Sequence, residues 1–407
     1  MLDGILKGRK FLFLQGPSSP FFAHLARACQ EYGAEVCRIG LAPGDRLYWP
    51  RKNAMYVPFR GKLEAFDDFL TDHIRKHQPT DMVMLGDARC YHRSAIKILR
   101  EYESGITPWV IEHGYLRPGL IAVETWGHGG RSQIPNDWQT TTVTACKKQP
   151  SQTWPSSFLR YAVLDVLYHS SNVGFGWIGY PHYRHYGTVH PLREYFGWLL
   201  KGVMVPSRRR IAANARSRLD RVRGNLFLFP LQLDGDFQIR DHGTGKSQLE
   251  TLGDVIQSFR ANAGPEDQLV IKTHPLDNYL AGWAKEVQTI ARAHSVGDRV
   301  FFADAIGLEP ILKRVQGVVT INSTVGLTAV MSGVACHVLG RSIYNISGLT
   351  HHGPLEQFWT AMTPPNRETA DKFRSFLLSR YHVAGTFDGP GALVGARNLA
   401  LRLAEAP

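Results

Sequence analysis

Short apolar runs that end in polar or glycine-bearing turns recur along this chain, and they constrain its fold more than any other feature. KFLFLQG, AEVCRIGL, DMVMLGD and TPWVIEHG fall within the first 125 residues. Helical stretches lie between them. Ser19-Pro20 reads as an N-cap and first turn, followed by Phe22, Leu25, Ala26 and Cys29 on one helical face. SAIKILREY continues from the DMVMLGD run in the same way. From residue 225 the alternation resumes with NLFLFPLQLDGD, QLVIKTHP, RVFFAD, GVVTINST and ACHVLG. Helical stretches near 246–262, 280–294, 308–315 and 324–332 separate these runs. Such a rhythm predicts parallel sheets with helices on both faces.

A chain of 407 residues exceeds what one hydrophobic core ordinarily organises, so two domains are expected. The first is predicted over 1–224 and includes an aromatic and basic helical region at 150–224. The second is predicted over 225–407, with its final helices packing back on the first. The predicted class is α/β and GT-B-like: two Rossmann-like, doubly wound domains facing each other across a cleft. Several nucleotide enzymes besides glycosyltransferases share that plan, so it leaves function open. Hydrophobic residues are 43% and charged residues 20% of the chain, a balance that argues against disorder. No run of about 18 apolar residues occurs, and MLDGILKGRKFLFLQGP reads as a first strand, not a secretory signal. Cys29, Cys37, Cys90, Cys146 and Cys336 are scattered without metal-ligand spacing, which suits a reduced, cytoplasmic protein.

The net charge of +12 implies an anionic partner. Residues 150–224 concentrate aromatics, among them Trp154, Tyr168, Trp177, Tyr183 and Trp198. A basic segment follows at 201–223, with Lys201, Arg208, Arg209, Arg210, Arg216, Arg218, Arg221 and Arg223 opposed there by Asp220 alone. Aromatics at an interface with cations facing phosphate suit anionic lipid headgroups. A helical connection with a solvated basic face is the plainer alternative. The cations accompany no recognised nucleic-acid-binding motif, so nucleic acid is not expected as a partner.

In open parallel sheets, ligands bind beyond the carboxyl ends of the strands. Polar groups in that position form five clusters, which would project into one shared cleft if the domains face each other. Gln15-Gly16-Pro17 could offer backbone N–H groups to an anion at a helix start, although GxGxxG spacing and a Walker lysine are lacking. Glu112 follows the apolar PWVI, where desolvation would raise its pKa toward the range useful to a general acid or base. Gln232, Asp234 and Asp236 follow the LFLFP run. The two aspartates could hold a divalent cation, one could attack an anomeric carbon, or the pair could be a solvated Asp-Gly turn. Lys272 and His274-Pro275 end another run, placing a cation and a hydrogen-bond donor near a phosphate or sugar oxygen. Asn322-Ser323-Thr324 precede a helix whose first N–H groups could receive a phosphate or carboxylate.

Taken together, FLFLQGP with SPFF, GDRLYW, EHGYLRPG, PLQLDGDFQIRDH, VIKTHPLDN, VVTINSTVGLTAVMSG and VLGRSIYNISGLT resemble the KpsS-type capsule polysaccharide biosynthesis proteins, relatives of the KpsC modules. These motifs spread from about residue 11 to 360. The resemblance implies retaining transfer of β-linked Kdo (3-deoxy-D-manno-oct-2-ulosonic acid) from CMP-Kdo to phosphatidylglycerol or its lyso form. It implies that His274-Pro275 contact the cytidine phosphate, and that Ser323 and Thr324 receive the phosphate or the Kdo carboxylate. Glu112 matches the acid/base glutamate, and the LDGD stretch matches that of the nucleophile, Asp236 or alternatively Asp234. No metal or other cofactor is expected, because the donor carries one phosphate and no diphosphate to clamp. The implied setting is peripheral, on the anionic inner face of the cytoplasmic membrane, with KpsC and the capsule export complex as partners. A transferase for another CMP-sugar such as CMP-sialic acid, and a non-catalytic scaffold for capsule synthesis and export, are the alternatives.

Overall fold

The computed structural model describes every residue except 1–3, 50–53, 103–104, 136, 141–153, 155–156, 188, 234, 236 and 406–407. It divides into two compact units, Met1–Tyr186 with Ser375–Pro407, and Gly187–Arg374. Along the chain the strands are β1 (Lys10–Phe13), β2 (Glu35–Gly40), β3 (Met55–Pro58), β4 (Asp81–Leu85), β5 (Thr107–His113), β6 (Leu120–Thr125), β7 (Leu226–Pro230), β8 (Gln268–Lys272), β9 (Val300–Ala303), β10 (Gly317–Thr320), β11 (Ala335–Val338) and β12 (His382–Ala384). The fold is α/β with two Rossmann-like units, as the alternation predicts.

The first unit holds a sheet in the order β12-β6-β5-β4-β1-β2-β3. Strands β1 to β5 run parallel to their neighbours, whereas β6 pairs antiparallel with both β5 and β12. Successive side chains of β1 enter different cores: Phe11 and Phe13 on one side, Leu12 and Leu14 on the other. A strand buried on both faces must be apolar throughout, which is why the run carries no polar alternation. The helices Phe21–Glu31 and Gly391–Ala404 cover the Phe11 side together, with Leu25, Leu399 and Leu403 in the same cluster. Gly385 permits the close approach of the helix Gly391–Ala404, since a Cβ there would stand 2.1 Å from the Cα of Gly395. The turn before the first helix differs from the predicted cap. Pro20 occupies the cap position without a side-chain bond, and the Ser19 hydroxyl donates instead to the Phe387 carbonyl at 2.6 Å.

The second unit is a parallel sheet in the order β11-β10-β7-β8-β9. Phe227, Phe229, Phe259, Phe358 and Trp359 fill one side, and the Trp359 indole donates to the Ser258 hydroxyl at 2.9 Å. The units divide at 186/187, ahead of the expected 224, and local packing supplies the reason. The helices Pro191–Val203 and Val205–Arg221 are fastened to this sheet and its loops: Arg314 donates to the Leu219 carbonyl at 2.7 Å, and Gly197 lies against Asn278 and Leu280. The helix Phe158–Gly179, from the same aromatic stretch, belongs to the first unit.

That helix is tied to the first sheet by buried polar groups. Asp45, fully buried, accepts from Arg38 at 2.5 Å, from the Tyr168 hydroxyl at 2.9 Å and from the Leu41 amide at 2.9 Å. An ion pair at such depth is costly to break from one side, because the remaining charge stays buried. Asp45→Ala is expected to destabilise the first unit by about 3–5 kcal/mol, read as a lower unfolding midpoint in urea. Tyr168→Phe, which removes one donor to Asp45 and one acceptor for Gln15 but leaves the ion pair intact, should cost less, about 1–3 kcal/mol; a larger effect from Tyr168→Phe than from Asp45→Ala would contradict this account.

Candidate functional site

Three adjacent parallel strands, β10, β7 and β8, end side by side in the second unit, and their carboxyl ends carry Gln232, Lys272, His274 and Asn322 to Thr324. Gln232, just past β7, is buried, and its amide donates to the Asn322 side chain at 3.0 Å. The Gln232 backbone is held by Gln248, which accepts from its N–H at 2.6 Å and donates to its carbonyl at 3.0 Å. Asn322 reaches the His242 carbonyl at 3.3 Å, so the ends of β7 and β10 form one hydrogen-bonded rim. Ser323, not Thr324, caps the helix Thr324–Met331: its hydroxyl accepts from the Val325 N–H at 3.2 Å. The Tyr344 hydroxyl donates to the Ser323 carbonyl and fixes the turn from behind.

At the end of β8, the His274 ring accepts from the Leu276 N–H through Nδ1 at 3.1 Å. In the neutral ring that leaves the proton on Nε2, so the other polar edge of the imidazole is a donor, as a phosphate oxygen requires. Lys272 is buried and donates to the Thr273 carbonyl at 3.0 Å. Burial lowers its pKa, with Asp304 acting in the opposite sense. Its position is that of a support beneath the turn. The turn is held from two further directions. Lys201 donates to the carbonyls of Pro275 and Asp277 at 2.7 and 2.6 Å. Asp304, just past β9, accepts from Arg208 at 2.7 Å, from the Tyr279 hydroxyl at 2.6 Å and from Thr273 at 3.1 Å. Burial alone would raise the Asp304 carboxyl, but Arg208 and Tyr279 outweigh it and bring its pKa to about 2. The strand-end rule points to Asp304 as readily as to its neighbours, since it closes the RVFFAD run. Asp234 and Asp236 lie outside the described residues.

In the first unit, β1, β4 and β5 are likewise adjacent and parallel. Glu112 closes β5, half-buried, and accepts the N–H of His113 at 3.0 Å. Burial is the largest influence on this carboxyl and acts upward. The charges of His113, His128 and Arg89, with the His113 N–H, outweigh it, so the pKa lies below its ordinary value. The rise expected from desolvation is therefore reversed. Gln15 turns inward: its amide donates to the hydroxyls of Tyr168 and Tyr183 at 2.9 and 3.1 Å, within the Asp45 network. A Cβ on Gly16 would stand 2.6 Å from the Phe22 ring, so the tight turn requires glycine there. Its carbonyl accepts from Arg89 at 3.2 Å.

Beside Glu112 lies a polar group that the sequence reading did not single out. Glu124, near the end of β6, is buried and accepts from the hydroxyls of Tyr115 and Ser132 and from His128 Nδ1 at 2.9 Å. The Tyr115 and His128 rings stack with centroids 4.3 Å apart. Burial pushes the His128 pKa down, but Glu124, then Glu112 and Asp87, outweigh it and raise it. The signal was present in LIAVET, another apolar run closing on a carboxylate.

The family model for capsule polysaccharide biosynthesis proteins matches residues 80–387. The capsule polysaccharide export protein KpsS of Escherichia coli is 29% identical over 395 residues, 95% of this chain and 98% of that protein. The capsule polysaccharide modification protein LipB of Neisseria meningitidis serogroup A is 28% identical over 390 residues, 92% of this chain and 91% of LipB. A solved structure of KpsC from Thermosulfurimonas dismutans, described as a beta Kdo 2,7 transferase, aligns with 97% of this chain and 98% of its own at 14% identity and a TM-score of 0.46. The matched span takes in Glu112, Gln232, His274 and Asn322 to Thr324, and the chain belongs to the capsule polysaccharide biosynthesis protein family.

Proposed function

We propose that the protein is a retaining glycosyltransferase that moves β-Kdo from CMP-Kdo to a phosphatidylglycerol-type lipid at the inner face of the cytoplasmic membrane. The carrying observation is the rim of the second unit. His274, with Nδ1 engaged by the Leu276 N–H, and the Ser323-capped helix start lie on strand ends that flank β7. An imidazole donor and helix N–H groups suit one phosphate and one carboxylate, the two anionic groups of a CMP-linked ulosonic acid. The choice of Kdo comes from the resemblance of the motifs to KpsS-type proteins, and the capsule functions named for KpsS and LipB accord with it.

The chemistry is a double displacement. An aspartate, Asp236 or Asp234, attacks the anomeric carbon, the bond to the CMP oxygen breaks, and CMP departs with that electron pair. The acceptor hydroxyl then gives its proton to Glu112 and attacks the same carbon, releasing the aspartate. Two inversions leave the β linkage of the donor in the product. A phosphate ester leaves without protonation, so Glu112 is needed as a base, and its depressed pKa keeps it ionised for that role. The donor carries a single phosphate, so transfer proceeds without a divalent cation.

Incubation with CMP-Kdo and short-chain phosphatidylglycerol is expected to yield, by mass spectrometry, lipid carrying one added Kdo. Glu112→Gln and substitution of the attacking aspartate by Asn should each lower turnover by about 10²–10⁴-fold. Comparing Asp234→Asn with Asp236→Asn identifies the nucleophile. Wild-type protein that transfers no Kdo, with capsule assembly left intact by all three substitutions, would favour a scaffold; full turnover in all three variants would refute the assigned residues, and equal use of CMP-sialic acid would refute the donor assignment. Glu112 must be ionised to act and its pKa is lowered, so kcat/KM should stay level as the pH falls from 7 to about 5, still above the ordinary glutamate value of about 4.3. A loss of activity centred near pH 6 would instead indicate a carboxyl raised by burial. Excess EDTA is expected to leave the rate unchanged, and restoration of a lost rate by Mg²⁺ would revive the D-x-D metal site.

A further inference from the structure

We propose that the helix Pro191–Val203 docks the second unit on an anionic bilayer, its outer apolar stripe entering the headgroup boundary while arginines of the next helix face lipid phosphate. Leu192, Phe196, Leu199 and Val203 are 59, 56, 70 and 77% exposed. Their 4-3-4 spacing gathers them within about 60° of the helix circumference. Of the buried members of the helix, Pro191, Gly197 and Lys201, the last two lie roughly opposite: Gly197 against Asn278 and Leu280, Lys201 on the carbonyls of Pro275 and Asp277. A surface helix ordinarily turns its polar side to water. This one is seated through a glycine and a lysine and presents its apolar side outward. A contiguous exposed apolar stripe of this kind marks a site of contact.

Charge selects the occupant. The following helix, Val205–Arg221, exposes Arg209, Arg210, Arg216 and Arg221, and Arg193 is exposed on the first helix. Glu194 and Asp220 are the exposed acids on the two helices. Not every cation of the segment faces outward, since Lys201 is buried and Arg208 is paired with Asp304. The exposed cations still exceed the exposed acids, and apolar side chains beside guanidinium groups match an interface of acyl chains under anionic headgroups. No helix among the described residues is long and apolar enough to cross a membrane, so the contact is one of lying at the surface. The first unit also exposes large apolar side chains, spread more widely around the helix Phe158–Gly179, where Leu159, Phe175, Trp177 and Ile178 are 73, 64, 72 and 65% exposed.

The docking helix is also the helix that holds the turn after His274. Lys201 fastens the two, so a bilayer that orders this helix also steadies the turn. The inference deepens the lipid-acceptor reading and is testable apart from it. Flotation with phosphatidylcholine vesicles, with and without phosphatidylglycerol, is the first measurement. The protein should float with the anionic vesicles at low salt, and release as salt rises. Leu199→Glu with Val203→Glu should weaken that binding at least tenfold while leaving the unfolding midpoint and turnover on soluble short-chain acceptor unchanged. Arg209→Glu with Arg210→Glu should do the same.

Equal binding of the wild type to neutral and anionic vesicles would overturn the proposal, as would undiminished binding of the Leu199/Val203 variant. A concentration-dependent dimer that this variant abolishes, without vesicle binding by the wild type, would assign the stripe to a second copy of the chain and overturn it too. Vesicle binding with no Kdo transfer to any acceptor would uphold the docking surface and overturn the transferase reading, so the two failures are distinct.

Discussion

The central strands of each unit are enclosed on both faces, and this constraint limits where chemistry can reside. In β1 the side chains of Phe11 and Phe13 enter one core and those of Leu12 and Leu14 the other, leaving no side of the strand for a polar group. β7, with Leu226 to Pro230 all buried, is under the same restriction. A polar side chain placed mid-strand would be desolvated without partners, at a cost of a few kcal/mol. Such groups therefore collect where the strands stop. Because neighbouring strands run parallel, their stopping points are also neighbours: Gln232 beside Asn322 in one unit, and the Glu112 end of β5 beside the Asp87 side of β4 in the other.

Parallel strands end in loops, and loops do not hold a side chain steady without reinforcement. The His274 turn receives it from outside the sheet. Lys201 occupies two of its carbonyls, while Asp304, itself bound by Arg208, holds Tyr279 and Thr273. Tyr279 has φ of 68°, an uncommon conformation for a residue with a side chain, and its hydroxyl bond to Asp304 is one of the contacts that maintain it. The basic residues of the segment thus divide by role. Lys201 and Arg208 support the turn, and Arg209 and Arg210 face solvent.

The same division explains what could be read from the sequence. Apolar runs and the polar residues closing them locate five of the strands of the second unit and the rim residues Gln232, His274 and Ser323, because strand and turn signals are local. Local signals are silent on the partner of a long side chain. Nothing within RRR tells Arg208, paired with a carboxylate, from Arg209, which is exposed, and Gln15 looks like a strand-end ligand until Tyr168 and Tyr183 are seen to accept from it. β3 and β12 are short strands, of four and three residues, at the two ends of the first sheet, and β12 pairs with β6, a strand distant in sequence. The unit boundary was missed for a related reason. Two helices join the second unit through long-range contacts such as Arg314 to the Leu219 carbonyl and Lys201 to the Pro275 carbonyl, which no composition profile contains.

The reversal at Glu112 carries a lesson about acid and base roles. A carboxyl closing an apolar strand is expected to rise in pKa, and desolvation does act in that sense here. A group that must protonate a poor leaving group would retain that rise. Glu112 instead sits among His113, His128 and Arg89, so the ionised form prevails. In the proposed reaction this is the useful state, since a departing phosphate ester needs no proton while an acceptor hydroxyl must lose one. Glu124 completes the arrangement: it raises the neighbouring His128 toward the cationic form, and that cation helps to keep Glu112 charged. Two carboxylates on adjoining antiparallel strands thus differ in setting, one buried as the counter-ion of a histidine, the other half-buried and held ionised, the state that the proposed reaction asks of it.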